Sequence, residues 1–291
     1  MTTLGPNTTA GTYEFQVLDL LHDPNANKWQ LPQIDMYINL ARKKLVMDTG
    51  CLRSLQPAFL TPGVEQYTFG QVTGGSILNP GSNYANPSVV FSGGGGIGVA
   101  ATVGQSGGAV NTISFTNFGS GYSSVPSFTL SDAGPGSGAQ LAFGIINVNT
   151  YDFLGVNVFQ GTERYSLRWQ PFRVFSALFR PFATSSYQRQ PAAWTTYGDN
   201  SIFIAPTPDF SYAVEWDTVI LPTPFVSGDT TTPDTIPVVA QDPIPFYAAY
   251  LAKNNAQNYG EAETFLKLYR ETLREVVAVY TGRLPDPYES A

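Results

Sequence analysis

The chain has 291 residues, of which only 13% are charged, and a formal net charge of −7. That balance argues against wholesale wrapping of nucleic acid but leaves room for a local basic surface. One cysteine, Cys51, excludes an intramolecular disulfide, and one histidine, His22, leaves too few ligands for a Cys/His zinc cage.

The first residues, MTTLGPNTTAGTYEF, lack the basic and apolar regions of a signal peptide, and no apolar stretch reaches the ~18 residues that span a bilayer. The first region then reads as helical. Thr12 can cap a short helix running to about Leu21, with Val17, Leu20 and Leu21 on one face. Asp23–Trp29 (DPNANKW) reads as a loop. Pro32 suits the first turn of a second helix that buries Ile34, Ile38, Ala41 and Leu45 and ends at Gly50. Arg42, Lys43 and Lys44 lie together on it and read as a solvated face.

The middle region differs in kind: from Gln66 to Ser131 there is no Asp, Glu, Lys or Arg. Val89–Phe91, Asn111–Asn117 and Ser127–Leu130 read as short strands between Gly and Pro turns. The region also repeats. Gly81–Val103 resembles Gly119–Phe143, aligning Tyr84 with Tyr122, Pro87 with Pro126 and Gly98 with Gly138, and Val72–Asn79 aligns with Val110–Asn117. Two similar β units in tandem are the simplest reading. FSGGGGIGVA (Phe91–Ala100) is therefore a turn and not a phosphate cradle. VAATV continues as a strand where a nucleotide loop needs a helix, and no ribose-binding acid or P-loop lysine follows.

In the third region, Tyr151–Phe159 and Glu163–Trp169 are strand-like, and Gln170–Phe182 reads as a short helix between Pro171 and Pro181. Asn200–Pro208 and Tyr212–Pro224 are expected to pair antiparallel about the turn Pro208–Ser211. Ser227–Thr235 is a loop. Asp242 and Pro243 open a helix with Ile244, Tyr247, Ala248, Leu251 and Ala252 on one stripe, and Gly260 breaks it. The last helix runs from Glu261 to about Tyr280 with an apolar seam through Ala262, Phe265, Tyr269, Leu273, Val276 and Tyr280. The expected fold class is α+β: a helical bundle from the N- and C-terminal helices with a small antiparallel β-sheet (1–72 and 148–291), an inserted all-β domain of two tandem repeats (73–147), and a C-terminal tail (282–291).

Reactive chemistry has few anchors. A Ser–His–Asp triad would have to use His22 beside Asp23, and Cys51 has no base nearby in sequence. The carboxylate pairs Asp152 with Glu163, or Glu215 with Asp217, are the remaining route to a hydrolase. No catalytic residue, cofactor or metal is assigned, and the chain is not read as an enzyme. A less ordinary feature is the row Arg164, Arg168, Arg173, Arg180 and Arg189, interleaved with Tyr165, Trp169, Phe172, Phe175, Phe179, Phe182 and Tyr187 and free of acids between Glu163 and Asp199. It reads either as arginines stacked on a sheet or paired with acids from elsewhere, or as a basic surface facing nucleic acid or an acidic partner.

Three segments carry a resemblance. Ile244–Tyr280 resembles the closing helix pair of tailed-bacteriophage head-to-tail adaptor (connector) proteins, Leu31–Leu45 is similar to that family's early helix, and Ser201–Phe225 resembles its strand–P-x-P-D–strand segment. The resemblance implies a structural virion protein at the capsid–tail junction, assembled in the host cytoplasm. Such a protein forms a homo-oligomeric ring of about twelve copies below the portal. It extends the DNA channel, passes viral DNA transiently during ejection and binds the portal protein and a tail or nozzle protein, with no membrane partner. By the same resemblance Arg283, Leu284, Pro285 and Tyr288 are portal-docking candidates, and the arginine row lines the channel or meets a partner. The uncharged repeats are a departure from the family, and they are expected to contact tail fibres, neighbouring capsid or the tail tube. The alternative is a phage fibre or carbohydrate- or receptor-binding module in which the β-repeats bind through Tyr84, Tyr122 and other exposed aromatics.

Overall fold

The computed structural model describes residues 4–180 and 187–281. In chain order these form helices α1 (Ala10–Leu20) and α2 (Leu31–Thr49), then strands β1 (Arg53–Phe59), β2 (Gln66–Thr68), β3 (Val72–Ser82), β4 (Ser88–Ser92), β5 (Ile97–Ser106), β6 (Ala109–Ser120), β7 (Ser127–Ser131) and β8 (Ser137–Ile145). Next come β9 (Thr150–Gln160), β10 (Glu163–Ser166), β11 (Arg168–Trp169), α3 (Phe172–Leu178), β12 (Ala193–Tyr197), β13 (Ser201–Ala205) and β14 (Ala213–Ile220). A 3-10 turn (Val238–Ala240), α4 (Pro243–Asn255) and α5 (Tyr259–Thr281) close the chain. Fourteen strands against five helices among the described residues make the chain mostly β, which corrects the expectation of a helical bundle with a small sheet. The chain divides into two compact units, Met1–Arg53 with Leu221–Ala291, and Ser54–Ile220.

In the first unit, local signals set the helix ends. Thr9, not Thr12, precedes α1. Thr12 instead sits three residues into the capping arrangement, its Oγ1 accepting from the Thr9 amide at 3.3 Å. Gly50 ends α2 in the left-handed conformation, φ 60°. Ile34, Ile38, Ala41 and Leu45 are buried as their spacing requires, and α2 packs against α1, α4 and α5. Helices α4 and α5 form a hairpin clasped by a Lys253–Glu261 ion pair at 2.5 Å. Among the described side chains of α5, Ala262, Tyr269 and Val276 are buried, at heptad spacing; Phe265, Leu273 and Tyr280 of the expected seam are partly exposed.

The second unit holds two four-stranded sheets, β1-β14-β9-β10 and β11-β12-β13-β2. They share one core in which Val156, Val158, Val214 and Trp216 of the first meet Tyr67, Trp194, Ile202 and Ile204 of the second. Phe153 bridges Trp216 and Trp194 with ring centroids at 5.8 and 6.1 Å. Helix α3 covers the other face of the second sheet, setting Phe175 against Ala193, Phe203 and Ala205. This overturns the expected pairing of Asn200–Pro208 with Tyr212–Pro224. β13 pairs β12 and β2, whereas β14 pairs β9. Every residue of β13 is buried, so that strand needs cover on both faces, and Pro206 and Pro208, which lack an N–H, stop any ladder at the turn.

The repeats form three two-stranded sheets, β3-β8, β5-β6 and β4-β7. The pairing is symmetric: β3 corresponds to β6 and β8 to β5, so the β3–β8 pair maps onto the β6–β5 pair and each long strand pairs across to the other repeat. The short strands β4 and β7 pair with each other about Val90 and Thr129. Across this pseudo-twofold, the Tyr84 hydroxyl accepts from the Ala139 amide at 3.2 Å and the Tyr122 hydroxyl from the Val99 amide at 3.4 Å. Gly81 (φ +63°) and Gly119 (φ +68°) occupy equivalent places. A Cβ on either would lie 2.5–2.8 Å from the opposite strand's backbone and from the tyrosine ring, so both the dihedral and the contact require glycine.

Candidate functional site

The five arginines of the row do not form one cluster. Arg164, on β10, pairs with Glu215 and lies 5.8 Å from the Phe159 ring. Arg180, just after α3, meets Glu65 at 3.3 Å and lies over the Phe203 ring at 5.3 Å. Burial raises the Glu65 carboxyl pKa while Arg180 opposes that rise. Arg168 on β11, Arg173 on α3 and Arg189 ahead of β12 are exposed and have no carboxylate partner among the described residues. These three belong to the second sheet and its covering helix, where Trp169, Tyr187 and Tyr197 are also about half exposed. Arg189 borders a recess of about 230 Å³ with Glu65, Phe179, Tyr187, Pro206 and Thr207. The row is thus divided into two structural pairs and three arginines left to solvent or a partner. Arg283, Leu284, Pro285 and Tyr288 lie outside the described residues.

The candidates for chemistry are dispersed or engaged. Asp152 and Glu163 stand at opposite ends of the β9–β10 hairpin, since Asp152 registers with Val219 and Glu163 with Gln160. At ~3.3 Å per residue, the eight positions between Asp152 and Gln160 put them roughly 26 Å apart, too far for shared acid–base work. Glu215 is committed to Arg164 and also accepts from Asn157 Nδ2 at 3.4 Å. His22 is exposed in a left-handed turn after α1. Cys51 is buried, and burial raises its thiol pKa, the reverse of an activated nucleophile. Tyr84 and Tyr122, expected as exposed sugar platforms, are buried at 7% and 3% exposure because each caps a strand of the opposite repeat.

Arg42 also departs from its sequence reading. It is not part of a solvated face: its side chain is 2% exposed against a fully buried Asp234. Nε and Nη2 donate to the two Asp234 oxygens at 3.2 and 2.6 Å, Nη1 donates to the Thr223 carbonyl at 2.8 Å, and the guanidinium lies 3.8 Å over the Phe225 ring. One turn earlier, Asn39 clasps the backbone of Phe225 from both sides, at 3.0 and 2.8 Å. Another turn back, Asp35 accepts from Ser227 Oγ at 2.5 Å. Asp35, Asn39 and Arg42 follow i, i+4, i+7 spacing, so one stripe of α2 fastens the Thr223–Ile236 segment. The spacing was visible in sequence; the partner was not, because it lies far along the chain.

A third stripe of the same helix is uncovered. Met36, Leu40 and Met47, at i, i+4, i+11, are 51%, 46% and 40% exposed, with the exposed Lys43 between them at i+7. A scan against protein-family models and a search of curated proteins both return no match for this chain.

Proposed function

We propose that the chain is a structural subunit of a tailed-phage neck, a ring-forming adaptor between the portal protein and the tail. The observation that carries this reading is the apolar row Met36, Leu40 and Met47 on α2. Such a row, on the side of a helix opposite its buried face, suits cover by another chain. Two supports accompany it. The segments that resemble the adaptor family at either end, Leu31–Leu45 and Ile244–Tyr280, fold as α2 and the α4–α5 hairpin and pack together within one unit. Arg168, Arg173 and Arg189 have no carboxylate partner among the described residues, and a cyclic array multiplies a modest patch into a collar. Tail, nozzle and fibre contacts and passage of viral DNA follow from the same proposal.

Sedimentation velocity and native mass measurement, on the protein alone and mixed with its cognate portal protein, test it. The expected result is a closed species of about twelve copies on the portal. Leu40→Asp should abolish that species while leaving thermal unfolding of the free chain within about 0.5 kcal/mol of wild type, as surface changes do. A chain that stays monomeric in the presence of portal overturns the reading.

A further inference from the structure

The second unit carries a cleft of about 480 Å³, within the ~300–1,000 Å³ typical of ligand sites. Its walls are β3 around Ser76, β6 from Asn111 to Phe115, the Leu60–Pro62 segment and the turn bearing Phe210 and Ser211. No ionisable side chain lines it. The nearest acid in the turn, Asp209, is taken by the Tyr212 hydroxyl at 2.7 Å. A charged ligand would therefore enter without a counter-charge, which is costly as water is displaced. The Thr61 and Ser211 hydroxyls in its lining donate to the Thr73 and Gly75 carbonyls, and the other polar side chains are those of Ser76, Thr112, Ser114 and Asn111. None of the latter hydrogen-bonds to another described residue, so each is available to a ligand as donor or acceptor.

The rim supplies an aromatic face. Phe210 is 67% exposed at the tip of its turn. A lone exposed apolar residue is ordinary, but the turn that bears this one is anchored. Ser211 Oγ donates to the Gly75 carbonyl at 3.0 Å, and the Gly63 and Leu60 amides donate to the Pro208 and Tyr212 carbonyls at 2.9 Å each. An exposed ring on an anchored turn beside an uncharged cleft suits a ligand with a flat apolar face and a rim of hydroxyls that both donate and accept. Sugar rings have that surface.

We propose that this cleft binds a neutral oligosaccharide, with Phe210 as the stacking platform and Asn111, Ser76 and Ser114 as the hydroxyl-reading groups. The site is distinct from Tyr84 and Tyr122, which are buried, and it does not rest on the ring proposal.

The test is an array of neutral gluco-, manno-, galacto- and xylo-oligosaccharides beside polygalacturonate and heparin fragments, followed by calorimetry on the strongest ligand. At least one neutral series should bind. Phe210→Ala should weaken it at least about tenfold, Phe210→Trp should retain it, and Asn111→Ala should weaken it measurably. Val90→Ala, on the separate β4–β7 face, should leave it unchanged. No binding to any neutral series overturns the proposal. So does preference for the acidic probes, binding that survives Phe210→Ala, or capture of proteins through this cleft without sugar binding.

Discussion

Replacing Asp234 with alanine should unfold the helical unit more readily than any surface change. Asp234 accepts from Arg42 Nε and Nη2, from the Tyr13 hydroxyl at 2.8 Å and from the Ile236 amide at 3.1 Å. Its loss leaves a guanidinium that is 2% exposed beside the Thr223 carbonyl, Asn39 and the Phe225 ring, with no carboxylate partner among the described residues. Breaking one side of a buried ion pair typically costs about 3–5 kcal/mol, because the remaining charge stays desolvated. In a unit of this size that corresponds to a fall of about 10–20 °C in melting temperature. Urea titration followed by far-UV circular dichroism, with calorimetry, measures it. Asp229→Ala is the matched control. Asp229 only caps an exposed turn through the Thr231 and Thr232 amides, so its loss should cost under about 1 kcal/mol. The double replacement Arg42→Met with Asp234→Leu should recover part of the loss, since removing both charges spares the uncompensated one. If Asp234→Ala stays within about 1 kcal/mol of wild type, the Thr223–Ile236 segment is held by something other than this pair.

Two further predictions concern pH and symmetry. Glu14 and Asp35 are buried side by side, and burial first, then the neighbouring Asp35 carboxylate, raises the Glu14 carboxyl to about 7 from 4.5. A folded-state value above the unfolded one means that the stabilisation is complete below about 4.5 and is lost as pH rises through about 7. Glu14→Gln should therefore flatten the decline of melting temperature between these values and stabilise the protein at pH 8, on the order of 1–2 kcal/mol once solvent access is discounted; an unchanged pH profile would remove Glu14 from the account. Tyr84→Phe and Tyr122→Phe should each cost about 0.5–1.5 kcal/mol, and similar amounts, since each deletes one equivalent hydroxyl–amide bond. Urea midpoints differing by several-fold in effect would contradict the pseudo-twofold arrangement.

Short-range signals in the sequence were legible. Pro32 and Gly50 bracket α2, Asp242–Pro243 opens α4, and the buried positions of α2 follow directly from the spacing of Ile34, Ile38, Ala41 and Leu45. The repeat was legible because a shared ladder imposes Gly, Tyr and Pro at fixed places in both copies. Strand partnership was not. Ser201–Ala205 and Ala213–Ile220 look like a hairpin locally, yet each finds its mates elsewhere, and the scale of the β structure was missed with them. The environment of a side chain was the least readable of all. Arg42 resembled its neighbours Lys43 and Lys44, and Tyr84 and Tyr122 resembled platforms. Their partners, Asp234, Ala139 and Val99, sit 192, 55 and 23 residues away.

The internal twofold of the repeats has a practical corollary. The chain enters and leaves this module at Gln71 and Ile146, where the Ile146 amide donates to the Gln71 carbonyl at 3.2 Å. The place equivalent to that doorway, at the far end, is sealed by a hairpin through Gly107 and Gly108, whose neighbours Gln105 and Val110 register as Ile145 and Val72 do. Opening the hairpin there would give the module new termini without severing a strand. Gly107 is thus the natural point at which to graft a fluorophore or a guest domain, directed away from where the module is rooted.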